Sequence, residues 1–218
     1  MSEHVCLLDL DGTLTDPFIG ISRCIIHALE SLNVPVPEQS SLKSWIGPPL
    51  KQSFDHYLRS FDNGDADEAV RLYRDRFAAV GLFENRVYDG VATLLEGLHK
   101  HTFKLILATS KPTIYASKIV RHFELDPWFV ATHGSELDGR LTNKTDLLAH
   151  IIEQHGLDPA SCVMVGDREF DMVAARHHGM AAIGVLWGYG SPVELLEAGA
   201  ETLVSSPDEL GELLKDSI

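Results

Sequence analysis

Basic residues are scarce in this chain of 218 residues: 18 lysines and arginines face 32 aspartates and glutamates, for a formal net charge of −14. That balance excludes the basic surface on which nucleic acids and anionic membranes depend, so neither is expected as a partner. It leaves phosphate-bearing small molecules open, because local charge and a metal offset the global field within one site. Cysteine is as sparse. Cys6, Cys24 and Cys162 are an odd set, two of them inside apolar strand-like runs. They read as reduced, buried core residues, which predicts a cytoplasmic setting. No apolar run approaches the length of a membrane span, and Asp9 arrives too early for the hydrophobic region of a secretory leader. Repeats and low-complexity stretches are absent. The 11 histidines are scattered, with no pair at metal-ligand spacing, and His177-His178 at a helix end suits the helix dipole or plain solvation.

What is present begins at Val5-Cys6-Leu7-Leu8, a short continuous apolar run that runs into Asp9, Asp11 and Gly12. Such a run reads as a strand buried on both faces at the centre of a parallel sheet. Carboxylates at its end then lie where open α/β sheets bind their ligands. Gly12 lets the backbone turn closely beneath them. Two like charges two residues apart repel, so the pair makes most sense with a cation beside them. An Asp-Gly hairpin turn is the bland alternative, but no second alternating strand comes after it.

From Asp16 to Phe83 the apolar spacing is helical: Ile21, Ile25, Ala28, Leu29 and Leu32, then Leu50, Phe54, Tyr57, Leu58 and Phe61, then Val70, Tyr73, Phe77 and Val80. Asn63-Gly64-Asp65 separates the second helix from the third. An all-helical block placed straight after such a strand reads as an insertion over residues 16–83. Strands and helices alternate over the rest, with strands over Phe103–Ala108, Trp128–Thr132, Cys162–Val165 and Ala181–Leu186. Helices lie between them, and short ones close the chain over Glu194–Ala198 and Pro207–Lys215. The reading is an α/β fold: a doubly wound, three-layer, Rossmann-like parallel sheet from residues 1–15 and 84–218, with a small inserted helical cap. Such caps close over sites and exclude water.

Four strand ends carry polar groups, or run into loops that do: Asp9 and Asp11, Thr109 and Ser110, Lys144, and Asp167 with Asp171. In a doubly wound sheet these ends lie along one edge. Each has a bland reading alone: Thr109 as a helix cap before Pro112, Lys144 as a solvated helix-start lysine, Asp171 as an acid in a first helical turn. Taken in order, they resemble the four motifs of the haloacid-dehalogenase-like phosphohydrolases, with Asp9-Leu10-Asp11-Gly12-Thr13 matching the first.

The resemblance implies a phosphatase. Asp9 would be the nucleophile of an aspartyl-phosphate intermediate, and Asp11 the general acid and then base. Thr109 would donate to a phosphoryl oxygen, and Lys144 would pair with the phosphate and with Asp9. Mg2+ would be held by the Asp9 carboxylate, the Asp11 carbonyl and Asp167, with Asp171 direct or through water. Gly12, Ser110 and Gly47 would approach the substrate, the last from the loop Trp45-Ile46-Gly47-Pro48-Pro49 between cap helices. An ordinary interhelix turn stays open for that loop. Trp187, Gly188 and Tyr189 read first as packing residues, with lining of the site mouth as the alternative.

Asp11 separates the chain from the dehalogenases of the superfamily, which lack an acid at that position. Lys43 and Lys51 have no apolar setting that would fit a Schiff-base lysine. The chain looks like the group that holds phosphoglycolate phosphatases and small 5'-nucleotidases. Where the former usually carry Lys-Pro at the third motif, this chain has Gly139-Arg140-Leu141-Thr142-Asn143-Lys144, and this form, with Gly188-Tyr189-Gly190, is similar to a nucleotidase-like subgroup. The expected substrate is a small-molecule phosphate monoester, a nucleoside monophosphate first. Phosphoglycolate phosphatase, sugar phosphomutase and a non-catalytic phospho-switch or binding module remain alternatives, and either a monomer or a homodimer is compatible.

Overall fold

The computed structural model describes residues 4–62, 64–101 and 103–216. Asn63, in the expected break between two helices, lies outside the described residues. The chain forms two compact units. One runs to Thr15 and resumes at Val87, and the other is Asp16–Arg86.

In chain order the elements are β1 (Val5–Leu8), β2 (Thr15–Asp16), α1 (Phe18–Ser31), a 3-10 segment (Gln39–Trp45), α2 (Leu50–Leu58) and α3 (Ala66–Arg76). Next are a π-turn (Phe77–Gly81), β3 (Arg86–Val87), α4 (Val91–Lys100), β4 (Lys104–Pro112) and α5 (Thr113–His122). Then come a short 3-10 turn (Asp126–Trp128), β5 (Ala131–Ser135), α6 (Lys144–His155), β6 (Cys162–Gly166) and α7 (Glu169–His178). The chain closes with β7 (Ala181–Val185), α8 (Pro192–Ala198), β8 (Thr202–Val204) and α9 (Pro207–Asp216).

Six strands form one sheet in the order β5-β4-β1-β6-β7-β8, every pair parallel. The continuous apolar run puts β1 in the middle, where all four of its residues are buried and Leu7 lies opposite both Ile106 and Met164. Along a strand the side chains alternate between faces. Leu7, Ile106, Met164 and Ala182 pack with Leu147, Leu148 and Ile151 of α6, Met172 and Ala175 of α7 and Leu195 of α8. Helices α4, α5 and α9 flank the sheet as well, α4 and α9 touching one another as Gly211 meets Leu94. Burying a β1 leucine on both sides of such a sheet contributes about 2 kcal/mol, which makes β1 a firm base for the aspartates at its carboxyl end.

In the helical unit the core is aromatic. Phe54 of α2 is fully buried, with Trp45 edge-on at 5.3 Å between ring centres and Tyr73 of α3 at 6.4 Å. Asp65 starts α3 by accepting the amides of Asp67 and Glu68.

Several element boundaries differ from the sequence expectation. The strand expected over Trp128–Thr132 lies three residues later, because Asp126-Pro127 forms the 3-10 turn with its proline at the first turn. β4 continues past Ala108 to Pro112, so Thr109 belongs to a strand and caps no helix. Ala181–Val185 is not the last strand, since β8 comes after it. Among the described residues no helix is long and apolar enough to cross a membrane.

Candidate active site

The carboxyl ends of β1, β4 and β6, with the start of α6, bring together residues far apart in sequence. Asp9 directly succeeds β1, and its amide donates to the Val165 carbonyl at 3.0 Å, which fixes its backbone to β6. Lys144 is the first residue of α6, whose start Asn143 caps, yet it is buried rather than solvated. Its ammonium donates to Asp9 Oδ1 and to the Ala108 carbonyl, both at 2.8 Å, and ion-pairs with Asp171 Oδ1 at 2.9 Å. Asp171 also accepts the Arg168 amide at 3.2 Å through Oδ2, so it caps α7 and meets Lys144 together. Asp167, fully buried, accepts the Tyr189 amide at 2.8 Å and the Thr13 hydroxyl at 3.4 Å. Gly12 has φ +90°, and a Cβ there would lie 2.1 Å from Asp167 Oδ2. Only glycine lets the first loop approach that carboxylate. Thr109 is buried, and its hydroxyl oxygen accepts the Lys111 amide at 3.3 Å. Ser110 offers its carbonyl to the Ser135 hydroxyl at 2.8 Å. Gly47, in the helical unit, has φ +105° in the turn before α2.

Carboxylate oxygens of Asp9, Asp167 and Asp171 lie within 4.8 Å of one another. The Asp11 carboxylate is turned elsewhere, with Oδ2 2.8 Å from the Lys111 ammonium and Oδ1 buried without a hydrogen-bond partner. Four acids thus share the site with two lysines. Burial pushes Asp167 well above the usual carboxylate range, and the charges of Asp9 and Asp171 push it further. Burial likewise raises Asp171 to about 6, against the pull of Lys144. Asp11 is raised by burial, with Lys111 opposing and Asp9 adding. Burial alone would lower Lys144, but Asp171 and Asp9 outweigh it and hold the ammonium charged. The all-oxygen donor set of Asp9, Asp167 and Asp171, with its surplus negative charge, fits a hard divalent cation.

The chain matches the family model described as haloacid dehalogenase-like hydrolase over residues 6–185. It belongs to that family. A 5'-nucleotidase of Pseudomonas aeruginosa is 48% identical to it over 189 residues, which cover 87% of this chain and 85% of that protein. The tyrosine-protein kinase PtkA of Mycobacterium tuberculosis is 36% identical over 213 residues, covering 97% and 72%. The crystal structure of a predicted phosphatase from Clostridium acetobutylicum superposes with a TM-score of 0.92 at 42% identity, covering 99% and 100%.

Three further residues join this candidate site: Lys111, which is not expected from the sequence, and Trp187 and Tyr189, for which mouth lining is the less favoured of two readings. Lys111 carries no motif of its own, although it stands two residues from Thr109 on the same strand. Packing is the favoured reading of Trp187 and Tyr189, yet the Trp187 indole donates to the Thr13 carbonyl at 2.9 Å and the Tyr189 amide holds Asp167, nearer the alternative of lining the mouth. A Cβ on Gly188 would lie 2.3 Å from Asp167 Cβ and 2.5 Å from the Gly12 carbonyl, so the loop after β7 closes on the first loop. The available signal is positional: a glycine-bracketed loop after a buried strand falls on the same sheet edge as the other motifs.

Proposed function

We propose that this protein is a phosphatase that hydrolyses a small-molecule phosphate monoester through an aspartyl-phosphate on Asp9, with Mg2+ held by Asp9, Asp167, Asp171 and the Asp11 carbonyl. The single observation that carries the reading is the buried Lys144 bridging Asp9 and Asp171 at 2.8 and 2.9 Å. A buried cation so placed orients the nucleophile and offsets phosphate charge at once. The bound cation would supply neutralisation of the phosphoryl oxygens. Thr109 spends an acceptor lone pair on the Lys111 amide, which leaves its hydroxyl proton for a phosphoryl oxygen. Asp11 combines a raised pKa with an unpartnered oxygen, the properties of a general acid. The helical unit over Asp16–Arg86 would serve as a cap, with Gly47 in a substrate-facing turn. The buried thiols of Cys6, Cys24 and Cys162 agree with a reducing, cytoplasmic compartment.

A nucleoside monophosphate is the proposed substrate, supported by the Gly139-x-Arg140-x-x-Lys144 form and by the similarity to a named 5'-nucleotidase. The test is phosphate release, with magnesium or with chelator, from nucleoside monophosphates, phosphoglycolate, sugar phosphates, phosphotyrosine and p-nitrophenyl phosphate. Release from a nucleotide that disappears in chelator and in Asp9→Asn is the expected result. Faster clearance of phosphoglycolate overturns the substrate, release unaffected by Asp9→Asn overturns the nucleophile, and no release from any ester favours a mutase or a silent module.

A further inference from the structure

Lys111 has no role in the mechanism proposed for Asp9, yet the fold fixes it closely. The pairing of β4 with β5 is irregular between Ala108 and Pro112. Inside that irregularity the Thr109 hydroxyl takes the Lys111 amide at 3.3 Å, and Ser135 takes the preceding carbonyl at 2.8 Å. A Cβ on Gly134 would stand 2.2 Å from the Lys111 carbonyl, so only glycine lets β5 come that close. The Gly134 amide is itself held by the Thr113 hydroxyl at 3.1 Å. The side chain so aimed is only 6% exposed, and its ammonium meets Asp11 Oδ2 at 2.8 Å. The two buried lysines are not interchangeable: Lys144 serves Asp9 and Asp171, and Lys111 serves Asp11.

We propose that Lys111 is a positioning residue that clamps Oδ2 of Asp11 and thereby presents Oδ1 as the oxygen that carries the transferred proton. This role rests on the phosphatase reading. In the first half-reaction the Oδ1 proton passes to the ester oxygen as its bond to phosphorus breaks and the electron pair stays on that oxygen, while Asp9 bonds to phosphorus. In the second, Oδ1 takes a proton from water as the water oxygen bonds to phosphorus and the Asp9–phosphorus bond breaks, which restores Asp11 to its starting state. A clamp on the other oxygen prevents rotation of the carboxyl, and misorientation of a general acid costs most where the leaving group is a poor one.

Leaving-group dependence of kcat/KM, which reports the steps up to cleavage of the ester, provides the test. Wild type, Asp9→Asn, Lys111→Met and Lys111→Arg are compared on p-nitrophenyl phosphate, whose leaving group needs little protonation, and on the best alkyl phosphate of the panel. In Lys111→Met the alkyl phosphate is expected to lose roughly 100-fold and the aryl phosphate less than about 5-fold, with part of the alkyl loss recovered in Lys111→Arg. Equal losses on both esters, beside an active wild type that Asp9→Asn silences, sink the role of Lys111 and leave the phosphatase reading standing. A wild type that cleaves the aryl ester alone sinks the role of Lys111, and one that cleaves no ester sinks both. Melting of both variants accompanies the kinetics, and if Lys111→Met is unfolded, Lys111→Arg decides. A loss in Lys111→Arg confined to the alkyl ester supports the clamp, and equal losses or none overturn it.

Discussion

Both units of the chain hold charged residues together in pairs, and the exposed pairs of α2 and α3 differ in kind from the buried ones at the sheet edge. In the helical unit Arg71 reaches Glu68 one turn before it and Asp75 one turn after it on α3, with Arg71 56% and Glu68 39% exposed. Lys51 and Asp67 pair in similar exposure. In the α/β unit the Lys144 and Asp171 side chains are 3% and 2% exposed. Water screens an exposed pair and side-chain entropy opposes it, so it adds little. A buried pair has forfeited hydration on both sides and is held only by fit; a hydrophobic substitute would often be as stable. Charges kept at that cost around one sheet edge suit the chemistry proposed for Asp9, and charges at the surface of α3 serve solvation. The contrast extends to the acids. The shifted pKa values of Asp11, Asp167 and Asp171 begin with burial, whereas Glu68 is lowered first by its hydrogen bond to Arg71.

The sharpest way to break the comparison is to remove one cation from each unit. Lys144→Met leaves Asp9 and Asp171 without their shared partner and is expected to cost about 3–5 kcal/mol of stability, as removal of one member of a buried pair does. It also abolishes turnover. Arg71→Ala is expected to melt with wild type and turn over at the wild-type rate. Thermal melts and phosphate release read both. Equal stability losses in the two variants would mean that burial does not distinguish the pairs.

A second substitution separates stability from function within the α/β unit. Asp167 carries a carboxylate that burial and two neighbouring charges oppose, so Asp167→Asn removes repulsion while the amide oxygen can still accept the Tyr189 amide. In chelator this variant is expected to melt above wild type, by about 1–2 kcal/mol. Adding magnesium should raise the melting temperature of wild type by mass action and leave that of the variant in place. An equal magnesium shift in both would remove Asp167 from the cation site.

The parts of the fold legible in the sequence are those where one residue pattern has one outcome. Val5–Leu8 and Cys162–Val165 are continuous apolar runs that end in acids, and both are buried strands. β5 reads Ala131-Thr132-His133-Gly134-Ser135, an edge strand with no apolar run. Bulky Trp128, Phe129 and Val130 draw the expectation three residues too early. β8 has three residues, one of them exposed, too few for alternation to register. The same division holds at the site. Asp9, Asp167 and Lys144 carry side-chain chemistry that residue type announces. Lys111 is a lysine before a proline, and its partner is set by an irregularity in β4. Tyr189 acts through its backbone amide, which no residue type encodes.

The smallest expected effect concerns a part-buried polar contact of the α/β unit that involves neither lysine. His133 of β5 faces His155 of α6, with the Nε2 atoms 2.8 Å apart and the His150 ring 5.9 Å from its own. Burial, then the neighbouring His155 and His150, lowers His133 to about 4. Above the ordinary histidine value of 6.5, folded and unfolded chains both hold it neutral and it adds no pH dependence. Between 6.5 and about 4 the unfolded chain takes a proton that the folded chain refuses, so acidification destabilises, and the effect levels off below that range. The ring is only partly buried, so the loss is on the order of 1 kcal/mol after screening by solvent. Asp167 and Asp171 act with the opposite sign, since a raised carboxylate gains stability on acidification. The measure is therefore the difference between wild type and His133→Asn, melted at neutral pH and near pH 5. The variant should lose less stability on acidification than wild type. If the two lose the same amount, the His133–His155 contact tolerates protonation, and burial alone does not make a polar group of this unit costly to charge.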